Sequence, residues 1–260
     1  MNKLLLCAII VSMTLLQTAL AGLDGGTSGY PRTIIDSAGR SITISQPIER
    51  IFPLNADAAE AVLMLGREDK IIGISESVKK KNEYFKNLQD LPIVANQNEV
   101  NFEKISEMVL EDNTIRPNVL VVCYSYPDKP SGAISIDKGL SQFKNITVAG
   151  LDFYKPENMT DEIEKLGVLL DCEGKAQDFI SWHEQRLAGV ENALGNVSIP
   201  RVYYEGATDG LGSLNTYGEG SGINSLQIMA KGENIARTLE GTYPKVDWEW
   251  VISENPDVII

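Results

Sequence analysis

One short pattern occurs twice in this chain, and it limits the possible folds more than any other feature. Asn101-Phe102-Glu103-Lys104-Ile105 leads to Arg116-Pro117-Asn118-Val119-Leu120-Val121-Val122, and Asp247-Trp248-Glu249-Trp250-Val251 leads to Asn255-Pro256-Asp257-Val258-Ile259-Ile260. Each copy places an Asn or Asp cap before an aromatic and a glutamate, continues as a short amphipathic helix, and steps through Pro-Asn or Pro-Asp into an apolar strand. Repetition on this scale implies two similarly built halves. A molecule with two matched lobes works in the cleft between them.

The rest of the chain fills in those halves. Residues 1–21 have the layout of a signal peptide: Lys3, an apolar run from Leu4 to Leu16, and the small-residue cleavage site Ala19-Leu20-Ala21. Residues 22–30 form a Gly/Ser-rich tether. An N-terminal α/β lobe is expected over 31–155. It begins with a hairpin around the Asp36-Ser37-Ala38-Gly39 turn and continues as strands at Arg50–Leu54, Lys70–Ile74, Pro92–Val94, Val119–Cys123 and Ile146–Ala149, with a helix from Ala56 to Leu65. Alternating strands and helices call for a parallel sheet covered on both faces.

Residues 156–195 break the alternation and predict connecting helices. One stripe runs through Ile163, Leu166, Leu169 and Leu170, and a second through Phe179, Trp182, Leu187, Val190 and Leu194 on a rigid helix from Lys175 to Leu194. A partial C-terminal α/β lobe is expected over 196–260. It contains a strand at Arg201–Glu205, a glycine-rich loop from Gly206 to Gly222 and a helix from Ile223 to Ala230. Its last strand, Val258-Ile259-Ile260, has no covering helix, so this lobe reads as truncated and more of it is expected beyond Ile260.

A hydrophobic content of 43% supports real cores, and a formal charge of -13 disfavours nucleic acid and anionic membrane surfaces as partners. Outside the signal only Cys123 and Cys172 remain, with no Cys-x-x-Cys pair, and His183 is the single histidine. A bare zinc or manganese site is hard to build from that set. An enzyme is the other alternative, but no Gly-x-Ser-x-Gly elbow or nucleophile–base pair is present. No catalytic or metal-ligating residue is therefore assigned.

The order of these segments resembles a known family. Hairpin, Ile48-Glu49-Arg50-Ile51, Leu65-Gly66, Asp69-Lys70-Ile71-Ile72-Gly73-Ile74, the first repeat copy, the long helix, Lys231-Gly232-Glu233-Asn234-Ile235-Ala236, Tyr243-Pro244-Lys245-Val246 and the second copy follow one another as in the substrate-binding proteins of ABC importers for iron–siderophore, haem and cobalamin. The resemblance implies an α/β fold of two Rossmann-like lobes joined by a long rigid helix. It also implies an extracytoplasmic monomer that needs no cofactor, takes an iron–siderophore, haem or corrinoid chelate between its lobes, and hands it to a permease dimer.

Candidate residues follow from position. Loops at the carboxyl ends of strands line clefts in open α/β sheets, which nominates Asn55, Asp57, Tyr124 and Tyr126 in the first lobe and Glu205, Tyr217 and Tyr243 in the second. Paired tyrosines suit a flat chelate, and no Arg/Lys cluster accompanies these loops in sequence. Glu103 and Glu249 stand second in their helices. Helix-start glutamates favoured by the macrodipole account for them on physical grounds, whereas the resemblance implies that each meets an arginine of the permease. His183, beside Trp182 in mid-helix, reads as structural.

Overall fold

The computed structural model describes residues 29–110, 118–195, 197–206 and 214–260. The expected signal peptide and most of the tether lie outside the described residues, as do Arg116 and Pro117 of the first repeat copy.

A hairpin opens the described chain. β1 (Arg32–Ile35) and β2 (Ser41–Ile44) pair antiparallel, Arg32 opposite Ile44. Asp36 closes the turn by accepting from the N–H groups of Ala38 and Arg40 at 3.1 and 2.9 Å, and Gly39 supplies the left-handed φ of +74°. The alternating pattern then gives β3 (Ile48–Pro53), α1 (Ala56–Met64), β4 (Ile74–Ser75), α2 (Glu76–Lys80), β5 (Ile93–Ala95), α3 (Phe102–Leu110), β6 (Asn118–Cys123), α4 (Ala133–Leu140) and β7 (Ile146–Gly150).

Strands β3, β6 and β7 form a parallel sheet in that order, and β4 and β5 form a parallel pair. The period of two along β6 sorts its side chains onto two faces. Leu120 and Val122 join the core under α1, while Val119, Val121 and Cys123 join the core under α4. Both cysteines are free and buried.

The strand expected from Lys70 to Ile74 is shorter than its sequence suggests. The Ile72 N–H donates to Ile51 on β3, but that of Ile74 donates to Pro92 just before β5. The chain changes partners across Gly73, where an added Cβ would lie 2.8 Å from the Phe52 ring. Only Ile74–Ser75 stays a strand.

Helices α5 (Met159–Leu169) and α6 (Glu173–Leu194) occupy the stretch expected to connect the halves. The 22 residues of α6 span roughly 33 Å at about 1.5 Å per residue. Its first turns pack on α5, with Gly167 so close to Ala176 that a Cβ on the glycine would sit 2.6 Å from the alanine methyl. The stripe Ile163, Leu166, Leu169 and Leu170 is buried as expected. The second stripe is not: Trp182 is 52% exposed, and Leu187 and Val190 are exposed too. On α6 only Ala176 and Ile180 are buried, because α5 covers the amino-terminal turns alone.

The second half contains β8 (Arg201–Tyr203), β9 (Leu214–Asn215), α7 (Gly222–Met229), β10 (Glu233–Asn234), β11 (Lys245–Val246), α8 (Trp248–Glu254) and β12 (Val258–Ile259). A parallel sheet of order β10-β8-β12 sits beside the antiparallel pair β11-β9. Tyr203, Leu214, Ile235 and Val251 make a smaller core. The repeat is thus structural as well: α3 leads to β6 and α8 leads to β12, each joining a parallel sheet. Among the described residues no helix is long and apolar enough to cross a membrane.

Candidate ligand cleft and docking carboxylates

Parallel pairing of β3 with β6 brings their carboxyl ends side by side, and the Leu54 N–H donates to the Val122 carbonyl. The start of α1 therefore meets the loop after β6. Asn55 caps that helix, its Oδ1 accepting from the Ala58 N–H at 2.8 Å. The Asp57 carboxylate accepts a short hydrogen bond from the Tyr124 hydroxyl.

Tyr124 belongs to a three-ring cluster. Its centroid lies 4.9 Å from that of Tyr126 and 5.1 Å, edge on, from that of Tyr154, while Tyr126 and Tyr154 are 5.8 Å apart. Such pairs contribute about 0.5–1.5 kcal/mol each beyond area burial. A second chain of rings stands on the other half, with Tyr204 5.2 Å from Tyr217 and Tyr217 6.0 Å from Tyr243. Desolvation is the main cause that pushes the Tyr126 phenol up to about 12, with smaller contributions from Tyr154, Asp152 and Tyr243. Tyr154 is raised by burial and feels Tyr243 as well. The Tyr124, Tyr126 and Tyr154 phenols, all raised mainly by burial, are neutral at ordinary pH.

A buried polar network holds the loops in place. Asp152, fully buried, accepts from the Ser125 N–H at 2.8 Å, the Ser125 hydroxyl at 2.7 Å and Lys155 Nζ at 2.8 Å. Burial alone would raise its pKa, but the Lys155 ammonium and both Ser125 donors outweigh that and hold it below the ordinary carboxylate range. Glu162 of α5 continues the network, accepting from the Ser37 hydroxyl at 2.6 Å, Lys165 Nζ at 3.0 Å and the Asp152 N–H at 3.3 Å. Hairpin, connector and tyrosine loops are therefore joined through two buried carboxylates.

Next to the first cluster is a cavity of about 440 Å³. Asn55, Asp57, Tyr124 and Tyr126 line it, and Ser75, Glu76, Lys80, Lys81, Asn96, Gln97 and Lys129 join them. The fold thus brings the adjacent Lys80 and Lys81 to the same wall as the distant Lys129, which corrects the expectation that no basic cluster accompanies these loops.

The repeated helices present their glutamates to solvent. Asn101 Oδ1 accepts from the Lys104 N–H at 2.9 Å, and Asp247 Oδ1 accepts from the Trp250 N–H at 2.8 Å. The caps satisfy the helix starts without help from Glu103 or Glu249, which are exposed and have no side-chain partner among the described residues.

A sequence model described as periplasmic binding protein matches residues 51–260. The chain belongs to this family. A cobalamin-binding protein of Halobacterium salinarum is 25% identical over 275 residues, covering 99% of this chain and 67% of its own. Among solved structures, a periplasmic solute binding protein of Veillonella parvula has a TM-score of 0.68 at 25% identity, covering 88% of this chain and 67% of its own. The periplasmic vitamin B12 binding protein of Vibrio cholerae has a TM-score of 0.62 at 24% identity, covering 82% and 76%.

Periplasmic binding proteins are two-lobed with a helical backbone, are not enzymes, and bind a small ligand in partnership with an ABC transporter permease. In this member Asn55, Asp57, Tyr124 and Tyr126 share one cavity, and Tyr217 and Tyr243 share the second ring cluster. Glu205 is not among the cavity's lining residues; it directly follows Tyr204 of the second cluster, and its N–H donates to the Ile260 carbonyl. Sequence reasoning missed Tyr154 and Tyr204. Tyr204 directly follows β8 and Tyr154 lies in the loop after β7, so the same positional rule covers them. In the glycine-rich loop, residues 207–213 lie outside the described residues, and Gly220 takes φ +84°, a conformation that favours glycine. His183 stacks on Phe179 with centroids 5.8 Å apart, consistent with a structural role. Among the described residues no group of three or more His, Cys, Asp and Glu could hold a metal ion.

Proposed function

We propose that this periplasmic binding protein is the extracytoplasmic component of an ABC importer for a corrinoid, held between lobes 31–155 and 196–260 that residues 156–195 connect. The observation that carries the reading is the pair of tyrosine clusters, three rings from each half. Phenols on both sides of a cleft suit a broad, largely uncharged macrocycle edged with amides, because each ring offers an apolar face and a hydroxyl, that of Tyr124 being already given to Asp57. The names of the relatives from Halobacterium salinarum and Vibrio cholerae, which specify cobalamin and vitamin B12, support the same class.

In this reading Tyr124, Tyr126, Tyr217 and Tyr243 grip the ligand, Asp57 fixes the Tyr124 hydroxyl, and Asn55 and Glu205 shape the surrounding loops. Exposed Glu103 and Glu249, one per lobe, dock the monomeric protein on two arginines of a permease dimer. Two carboxylates on separate lobes match a two-fold partner, as isologous surfaces require.

Titration of the purified protein with cyanocobalamin, haemin and a ferric hydroxamate siderophore, followed by tryptophan fluorescence and calorimetry, tests the ligand class. Cyanocobalamin should bind with micromolar or tighter affinity, and the Tyr126→Ala and Tyr243→Ala variants should each weaken it at least fivefold. Tight binding of haemin or the siderophore with no cyanocobalamin binding overturns the assignment.

A further inference from the structure

We infer that the first-lobe cavity beside the tyrosine cluster is an anion subsite in which Lys81 and Lys129, flanked by Lys80, take the phosphodiester of a corrinoid's nucleotide arm. The inference rests on the corrinoid reading above and adds to it a second recognition element of different chemistry.

Size comes first. Small-molecule pockets span about 300–1,000 Å³, and a cavity near 440 Å³, in the lower part of that range, has room for one arm of a large ligand. Because Tyr124 and Tyr126 line this cavity as well as the ring cluster, an arm hanging from a ring packed on the tyrosines enters it directly.

Charge decides what kind of arm. Of the two carboxylates on the wall, Asp57 is engaged by the Tyr124 hydroxyl and Glu76 pairs with Lys80 at 3.2 Å. Lys81 and Lys129 have no carboxylate partner among the described residues. Lys129 is held over the Tyr126 ring, Nζ 4.2 Å from the centroid, by a cation–π contact, and both residues line the cavity. In a chain whose formal charge is -13, a wall with surplus lysine runs against the average and favours an anionic guest. The amides of Asn96 and Gln97 on the same wall supply neutral donors beside the lysines.

Cyanocobalamin and dicyanocobinamide share the corrin ring and its amides, but only the former has the nucleotide arm with its phosphodiester. Affinities of both for the wild-type chain and for Lys81→Gln/Lys129→Gln, measured at low and at 0.5 M salt, separate ring from arm. Two exposed charge-assisted contacts predict that the double variant loses about tenfold for cyanocobalamin at low salt and less than twofold for dicyanocobinamide. The difference should shrink at high salt as screening rises. A thermal melt matching wild type confirms the fold of the variant. Equal loss for both ligands, or no loss for either, overturns the anion subsite and leaves the corrinoid reading standing. A wild-type chain that binds neither ligand overturns both.

Discussion

Removing the Asp152 carboxylate should be the costliest single change near the cleft that touches no apolar side chain. Asp152→Ala leaves the buried Ser125 N–H and hydroxyl without their acceptor and separates Lys155 from its partner. A stranded buried donor costs about 1–3 kcal/mol, and breaking a buried ion pair about 3–5 kcal/mol. Lys155 is 36% exposed, so water takes over much of its solvation and the Ser125 side dominates. The total comes to about 3–4 kcal/mol, since the costs overlap. Asp152→Asn keeps one acceptor oxygen and should lose about half as much. For a chain of this size the alanine variant should melt about 10 °C below wild type. The native pKa of Asp152 is depressed, so its stabilisation is complete above the unfolded value near 4 and fades as pH falls through the lower native value. Urea titrations at pH 7 and at pH 3 should therefore show the gap between wild type and Asp152→Asn narrowing in acid. An alanine variant within 1 kcal/mol of wild type, or a gap that ignores pH, would refute the reasoning.

Three further outcomes follow from the same coordinates. The double variant Glu103→Ala/Glu249→Ala should bind ligand with wild-type affinity yet lose most uptake through the permease in reconstituted vesicles, since neither carboxylate caps its helix; normal uptake sinks the docking role. Gly222→Val should lower the melting temperature and weaken ligand binding together, because even a Cβ at 222 would lie 2.7 Å from the Tyr154 carbonyl oxygen, and a variant with unchanged affinity contradicts this. In alkali, the Tyr126 and Tyr203 phenols, both pushed up to about 12 mainly by desolvation, contribute stability that is full below the unfolded value near 10 and declines from pH 10 to 12. Absorbance at 295 nm and circular dichroism should show their ionisation coinciding with loss of structure.

The repeat, the alternation of strands and helices, and the amphipathic face of α5 were legible in the sequence because each depends on local periodicity. The exposed second stripe of α6 was not. Trp182, Leu187 and Val190 have helical spacing, but spacing says which residues share a face and not whether anything covers it. The break at Gly73 has the same origin, since the change of partner from Ile51 to Pro92 is a tertiary event. In the cleft, Tyr124 and Tyr126 could be found because they follow a strand. Lys81 and Lys129 could not, because only the folding of α2 against the loop after β6 brings them to one wall.

The approach of Gly222 to Tyr154 has a mechanical consequence. The first residue of α7 meets the backbone of the residue whose ring stands edge on to Tyr124. With no side chain between them there is no compliant spacer to absorb movement, and close-packed atoms pass displacement on. A shift of the second half at this point therefore presses on the backbone that carries the Tyr154 ring, part of the first tyrosine cluster.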